Sequence, residues 1–242
     1  EFSRHTWVYL LKLKSDLPVV FAHFRELFQT RFPANKIKHL RCDNGGEYVS
    51  DEFRHYLSSW GIALELSAPH TQSQNGLSER KNRTLEEGGL TILTEAGLPA
   101  SLWGAAIQTI AFVRNRLPSR PLEGKTPFEV LHGKPADISF FRPFGCRMFA
   151  YNHGRRKMGS KKDGREYDKP IKGVLVGYAA DAKNLYEMLT DDTGEIISVR
   201  DARFEEENFP HARKRDASDH DSFSEDKKNH EVDVPASDST TR

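Results

Sequence analysis

IKHLRCDNGGEYVSDEFRHYLSSWGIALELSA, residues 37–68, reads as strand, helix, strand, and that reading decides the fold. The first arm, 37–43, is a short strand whose alternation puts Ile37, His39, Arg41 and Asp43 on one face. Ser50 as a cap and Gly61 as a stop bound a helix over 50–61. Residues 63–68 alternate as a second strand. Between strand and helix lies DNGG, where Asp, Asn and Gly collect for backbone reasons alone. Asp43 therefore needs support from elsewhere in the chain before it is given any chemistry.

Working outward, TWVYLLK (6–12) is a β-branched and aromatic run that predicts a strand. Residues 15–32 open with a Ser cap and carry apolar side chains at 17, 20, 21, 24, 27 and 28, a helical period. HTQSQNG (70–76) reads as a polar loop. A helix is expected over 77–97, weakened at Gly88-Gly89, and another over 101–117, stopped by Pro118. The order β-α-β-α-β-α-α implies an α/β layer fold in residues 1–117, with helices over a central sheet. A Pro-punctuated connector (118–143) follows. CRMFAY, GVLVGY, LYEML and IISVRDARF then predict short strands of a small β-barrel over 144–207. Trp103 and Phe112 are expected in the core.

Composition narrows the function classes. No apolar run approaches the ~18 residues of a membrane span. Cys42 and Cys146 make neither a disulfide framework nor a four-ligand zinc site, and both read as small buried hydrophobes. The net charge of +1 hides an asymmetry, with +6 over residues 1–204 and −5 over 205–242. Residues 208–242, rich in Ser, Asp and Lys, predict a disordered acidic tail. Arg142–Lys172 carries ten bases against three acids. Its Arg155, Arg156, Lys157, Lys161 and Lys162 form either a solvated loop or a polyanion-binding one.

Asp43 ends a strand at a sheet edge, where open α/β sheets place their sites. Glu79 follows after 35 intervening residues, expected in the first turn of a helix. Two carboxylates brought together this way repel unless a divalent cation sits between them, and hard oxygen donors suit Mg²⁺ or Mn²⁺. Two such ions ~3.5–4 Å apart would activate an attacking oxygen and stabilise a leaving one in phosphoryl transfer. For Glu79 alone, a carboxylate complementing the helix dipole remains the simpler reading.

DNGGEYVSDEF (43–53), SAPHTQSQNGLSERKNRTL (67–85), the run from Gly97 to Cys146, GVLVGYAADAKNLYEML (173–189) and VRDARF (199–204) together resemble the integrase of copia-type LTR retrotransposons. The resemblance spans roughly residues 2–207 and implies an RNase H-like core followed by a small β-domain. It implies that two aspartates and a glutamate hold Mg²⁺ or Mn²⁺, with Asp43 as the second acid and Glu79 as the third. The family's first aspartate lies upstream of the segment matched at EFSRHTWVYLLK, so the chain is expected to start after it and to be inactive alone. Gln72 stands where the family usually has proline. The implied activity is DNA 3′-end processing and strand transfer in the nucleus, on element ends and target duplex, by a homo-oligomer. Gln72, Gln74 and Asn75 would then touch bases or sugars, and Arg80, Lys81, Arg83 and the 155–162 cations would meet phosphates. Two rival readings are a catalytically dead DNA-binding remnant and an RNase H-type nuclease.

Overall fold

In a computed structural model of the chain, residues 2–43, 45–67, 72–151, 170–179 and 184–212 are described, the side chains of 72–75 and 77 excepted. The opening stretch folds as read. Strands β1 (His39–Cys42) and β2 (Ala63–Leu66) pair in parallel, His39 opposite Ala63 and Cys42 opposite Leu66. A parallel pair needs a crossover rather than a tight hairpin. That crossover carries the single-turn helix α2 (Gly46–Val49), which the sequence did not announce, and α3 (Asp51–Ser59). Ser50 caps α3 by accepting the Phe53 N–H at 3.4 Å.

The amphipathic face of α3 buries Phe53 and Leu57 with Ile62 against Leu40 and Leu64 of the two strands. Helix α1 (Leu17–Arg31) closes the same core, Phe21 meeting Phe53 edge-on at 5.4 Å between ring centroids. Its start differs from expectation. Asp16, not Ser15, secures the entry turn, its Oδ2 accepting the Leu13 N–H at 3.0 Å. Residues 6–12, expected as a strand, join no ladder among the described residues. A side chain satisfies part of that backbone instead. Asn115 Oδ1 accepts the Thr6 N–H at 2.9 Å, and Nδ2 donates to the Thr6 carbonyl at 2.7 Å.

Helix α4 runs from Gln72 to Ala96, so the loop expected over 70–76 is helical from Gln72 onward. Asn75 and Gly76 argued for a loop, but each costs an established helix only about 1 kcal/mol or less. Nor is α4 interrupted at Gly88-Gly89. A Cβ on Gly88 would lie 3.1 Å from Ile110 Cγ2, and one on Gly89 3.0 Å from Ile107 Cγ1. These glycines let α5 (Trp103–Arg114) approach closely. Trp103 is 57% exposed, against the expectation that it is core, whereas Phe112 is buried. The connector also holds a helix, α6 (Pro127–His132), closed by a capping box. Thr126 Oγ1 accepts the Glu129 N–H at 3.0 Å and Glu129 Oε2 accepts the Thr126 N–H at 2.7 Å.

The later strands form one antiparallel sheet in the order β6-β5-β4-β3-β7. They are β3 (Arg147–Ala150), β4 (Ile171–Tyr178), β5 (Tyr186–Thr190), β6 (Ile196–Val199) and β7 (Ala202–Glu205). Only Arg200 and Asp201 separate the two edge strands. Three Cα steps reach ~11 Å at most, whereas the edges of a flat five-strand sheet lie ~19 Å apart. The sheet must therefore curl toward the small barrel expected. Strand β4 is buried on both faces: Val174 and Val176 pack with Leu93 and Ala106 of the helical pair, and Leu175 with Met148 and Met188. That explains why GVLVGY is a continuous apolar run rather than an alternating one.

Candidate metal and nucleic-acid site

Asp43 leaves the C-terminal end of β1 with its side chain exposed. The alternation of β1 accounts for this, since His39 and Arg41 share that face and both reach Glu65 of β2, at 2.7 Å and 2.9 Å. The carboxylate is fixed locally by the Gly45 N–H, which donates to Asp43 Oδ1 at 3.0 Å. A Cβ on Gly45 would stand 3.0 Å from that same oxygen and 3.0 Å from Glu47 Oε2. Glycine is thus the residue that lets two carboxylates flank one short turn. Glu47 also meets Lys14 at 3.4 Å, and its carboxyl is held low first by a backbone hydrogen bond and then by that lysine.

The neighbourhood is negative. Burial, reinforced by the charges of Asp43 and Glu47, pushes the Cys42 thiol up to about 11. Burial, then Asp43, Cys42 and Glu47, raise Tyr48. Cys42 is half-buried and Cys146 fully buried, so the expectation of two buried thiols is met in full only by the second.

The ends of β1 and β2 lie side by side, because Ser67 donates both its N–H and its Oγ–H to the Cys42 carbonyl, each at 3.0 Å. The chain enters α4 at Gln72, shortly beyond this junction. Glu79 is exposed and sits two turns into α4 rather than in its first turn, so dipole complementation no longer accounts for it. Among the described residues no three or more His, Cys, Asp or Glu side chains gather as a metal-binding group.

Of the expected nucleic-acid contacts, Arg80 is exposed. Arg83 is exposed and pairs with Glu87 one turn on, at 2.8 Å. Lys81 turns inward, its Nζ donating to the Arg4 carbonyl at 3.2 Å, and burial beside Arg114 and Arg4 lowers its pKa. Gln72, Gln74 and Asn75 lie on α4, their side chains outside the description. Arg155, Arg156, Lys157, Lys161 and Lys162 lie outside the described residues, as does the tail from Arg213. Glu47, read from the sequence as a salt-bridge or turn residue outside the catalytic set, does pair with Lys14. Gly45 is what the sequence reading left out, and its signal was the glycine pair that follows Asp43-Asn44.

Residues 1–72 match the family model described as the integrase core domain. That segment, which is similar to an integrase core domain, holds β1, β2 and Asp43. Over most of its length the chain is also similar to retrovirus-related Pol polyproteins of copia-type transposons. It is 40% identical over 206 residues to the Pol polyprotein from transposon TNT 1-94 of Nicotiana tabacum, covering 85% of this chain and 15% of the relative. To the Pol polyprotein from transposon RE2 of Arabidopsis thaliana it is 36% identical over 212 residues, 87% of this chain and 14% of the relative. The chain thus spans about 15% of the length of such relatives. Among solved structures, the HTLV-2 integrase catalytic core domain in complex with magnesium is 23% identical with a TM-score of 0.41, over 53% of this chain and 78% of that one. A simian T-cell lymphotropic virus intasome chain is 17% identical at the same TM-score of 0.41, over 85% of this chain and 66% of that one.

Proposed function

We propose that this chain is part of a retrotransposon integrase whose complete form processes DNA 3′ ends and joins them to target DNA. The single observation that carries the reading is an exposed Asp43, clamped by the Gly45 N–H at the end of β1, inside the segment that matches an integrase core domain. In this reading residues 1–117 form an RNase H-like catalytic core, 118–143 connect, and 144–207 form the β-domain.

Asp43 and Glu79 are hard, exposed oxygen donors of the kind Mg²⁺ or Mn²⁺ takes, so the donor chemistry fits a divalent ion. They would hold it together with a further carboxylate, because two alone are too few for an active pair of ions. The bound metal would supply Lewis-acid stabilisation of the oxygens that attack and leave phosphorus. The chain's own residues do the positioning. Gly45 fixes the Asp43 carboxylate, Ser67 holds the ends of β1 and β2 together, and Arg80 and Arg83 offer exposed cations to phosphates on the helix that carries Glu79. The partners are element ends and target duplex, bound as a homo-oligomer, and the place of action is the nucleus.

Strand transfer between a DNA-end oligonucleotide and a target duplex, measured on the transposon protein that contains this segment, tests the proposal. Asp43→Asn and Glu79→Gln should each abolish joining while leaving DNA binding in place. Joining at wild-type rate by either variant would overturn the assignment.

A further inference from the structure

A cleft of about 910 Å³ opens between α1, α5, α6 and the N-terminal segment, and neither Asp43 nor Glu79 lines it. One face of α5 forms its floor, with Gln108, Ala111, Phe112 and Asn115 at helical spacing. Trp7, Phe24 and Phe28 form an aromatic wall, Trp7 lying 5.3 Å and 5.9 Å from the other two ring centroids. A cleft of this size, walled by aromatic rings and carrying polar groups at its ends, is of the kind that takes a small organic ligand.

The polar groups are unevenly shared. At one end the Arg116 guanidinium stacks 3.5 Å over Phe112 and 5.0 Å from Phe128, and its Nη1 donates to the Phe112 carbonyl at 3.0 Å. No carboxylate pairs with it among the described residues, and burial holds its pKa down to about 10. Beside it, His5 Nδ1 is buried without a hydrogen-bond partner. A ring nitrogen so placed donates in one neutral tautomer. Burial and the facing charges of His132, Arg116, Lys81 and Arg31 press His5 down to about 3. Lys134 stands exposed at the rim. Of the two acids in the cleft, Asp137 is already engaged by the Ser139 N–H at 2.9 Å and hydroxyl at 2.6 Å. Glu187 lies at the other end, against Gly177 and near Thr109, about 10 Å along α5 from Arg116. Burial there raises its pKa.

Arg116 and Lys134 at one end, an aromatic wall between, and an amide and a carboxyl at the far end match a phosphate, a flat base and its amino edge. We propose that this cleft holds a nucleoside phosphate unit, with the phosphate at Arg116, His5 and Lys134, the base against the aromatic wall, and Gln108 and Glu187 at its edge. The unit could belong to a free nucleotide or to an unpaired strand end. The strand end is the source we assign, a choice that rests on the integrase reading. Aromatic stacking with flanking cations is a general way to hold single-stranded nucleic acid.

Equilibrium binding of the whole 242-residue chain in EDTA tests the assignment, with 5′-dAMP, deoxyadenosine, inorganic phosphate and a 5′-phosphorylated ten-nucleotide dA strand as probes. The expected result is 5′-dAMP bound about tenfold or more tighter than deoxyadenosine or phosphate, and the strand tighter still. Arg116→Gln should remove that advantage. Lys134→Gln, at an exposed position where folding is not at stake, should reduce it severalfold. Equal binding of 5′-dAMP and deoxyadenosine, or no response to Lys134→Gln, would overturn the phosphate site. A strand bound no tighter than 5′-dAMP would overturn the strand-end source. Glu79→Gln should leave every one of these affinities unchanged, so failure of the integrase reading would show separately, as strand transfer indifferent to that substitution.

Discussion

Gly89 on α4 faces Ile107 on α5, and replacing it with alanine sets two effects of known size against each other. In a helix interior alanine is favoured over glycine by about 1 kcal/mol. At this position the new Cβ would stand 3.0 Å from Ile107 Cγ1 and 3.5 Å from the Ile107 backbone nitrogen. Overpacking of one methyl in a closed contact costs about 1–3 kcal/mol. Because backbone as well as side chain lies close, Ile107 has little room to yield, and the net should be destabilisation by about 1 kcal/mol. In an Ile107→Ala background the clash is gone and the propensity gain remains, so Gly89→Ala should there stabilise by about 1 kcal/mol. The coupling between the two sites is then about 2 kcal/mol, measurable by urea unfolding of the two single variants and the double. If Gly89→Ala stabilises equally in both backgrounds, the close approach of α4 to α5 is wrong, and with it the pose of the helix that carries Glu79.

Other perturbations follow from the same packing. Phe53→Ala removes a side chain that is 0% exposed and should cost about 3–5 kcal/mol in urea unfolding. Cooperative unfolding unchanged in midpoint would contradict the shared core of α1, α3 and the parallel pair. Thr126→Ala breaks the capping box of α6 and should cost about 1 kcal/mol, with Thr126→Ser restoring most of it; equal stabilities of all three proteins would count against the cap. The folded pKa of His5, about 3, lies below its usual 6.5, so the unfolded chain takes up the proton first. The stability this histidine contributes is whole above pH 6.5 and is lost as pH falls toward 3, by up to about 1.4 kcal/mol per pH unit. His5→Phe should flatten the stability profile across that window, and an unchanged slope would refute the burial of the ring.

The strand–helix–strand core, the cap at Ser50 and the four apolar runs of the β-domain were legible because local periodicity and burial agree there. The exceptions share a cause, which is that tertiary contact decides what sequence pattern leaves open. Residues 6–12 have strand composition, yet their partner is the side chain of Asn115, 109 positions from Thr6. Gly88-Gly89 looked like a weak point and is a contact surface for α5. Gln72–Gly76 looked like a loop because its composition is polar, although polarity also suits an exposed helix. In the candidate site the strand and helix frame around Asp43 and Glu79, together with the family resemblance, pointed to a metal, while the Gly45 clamp depended on a turn geometry that composition does not encode. Lys81 read as a cation for phosphate, and only packing reveals that it serves the Arg4 carbonyl.

Paramagnetic relaxation by Mn²⁺ in ¹⁵N-resolved NMR spectra of the 242-residue chain addresses the central claim most directly. Substoichiometric Mn²⁺ should broaden the amides of Asp43, Gly45 and Glu79 first, and Asp43→Asn combined with Glu79→Gln should remove that broadening. Broadening centred elsewhere, or surviving the double substitution, would contradict the assignment of Asp43 and Glu79 as the carboxylates that hold the metal.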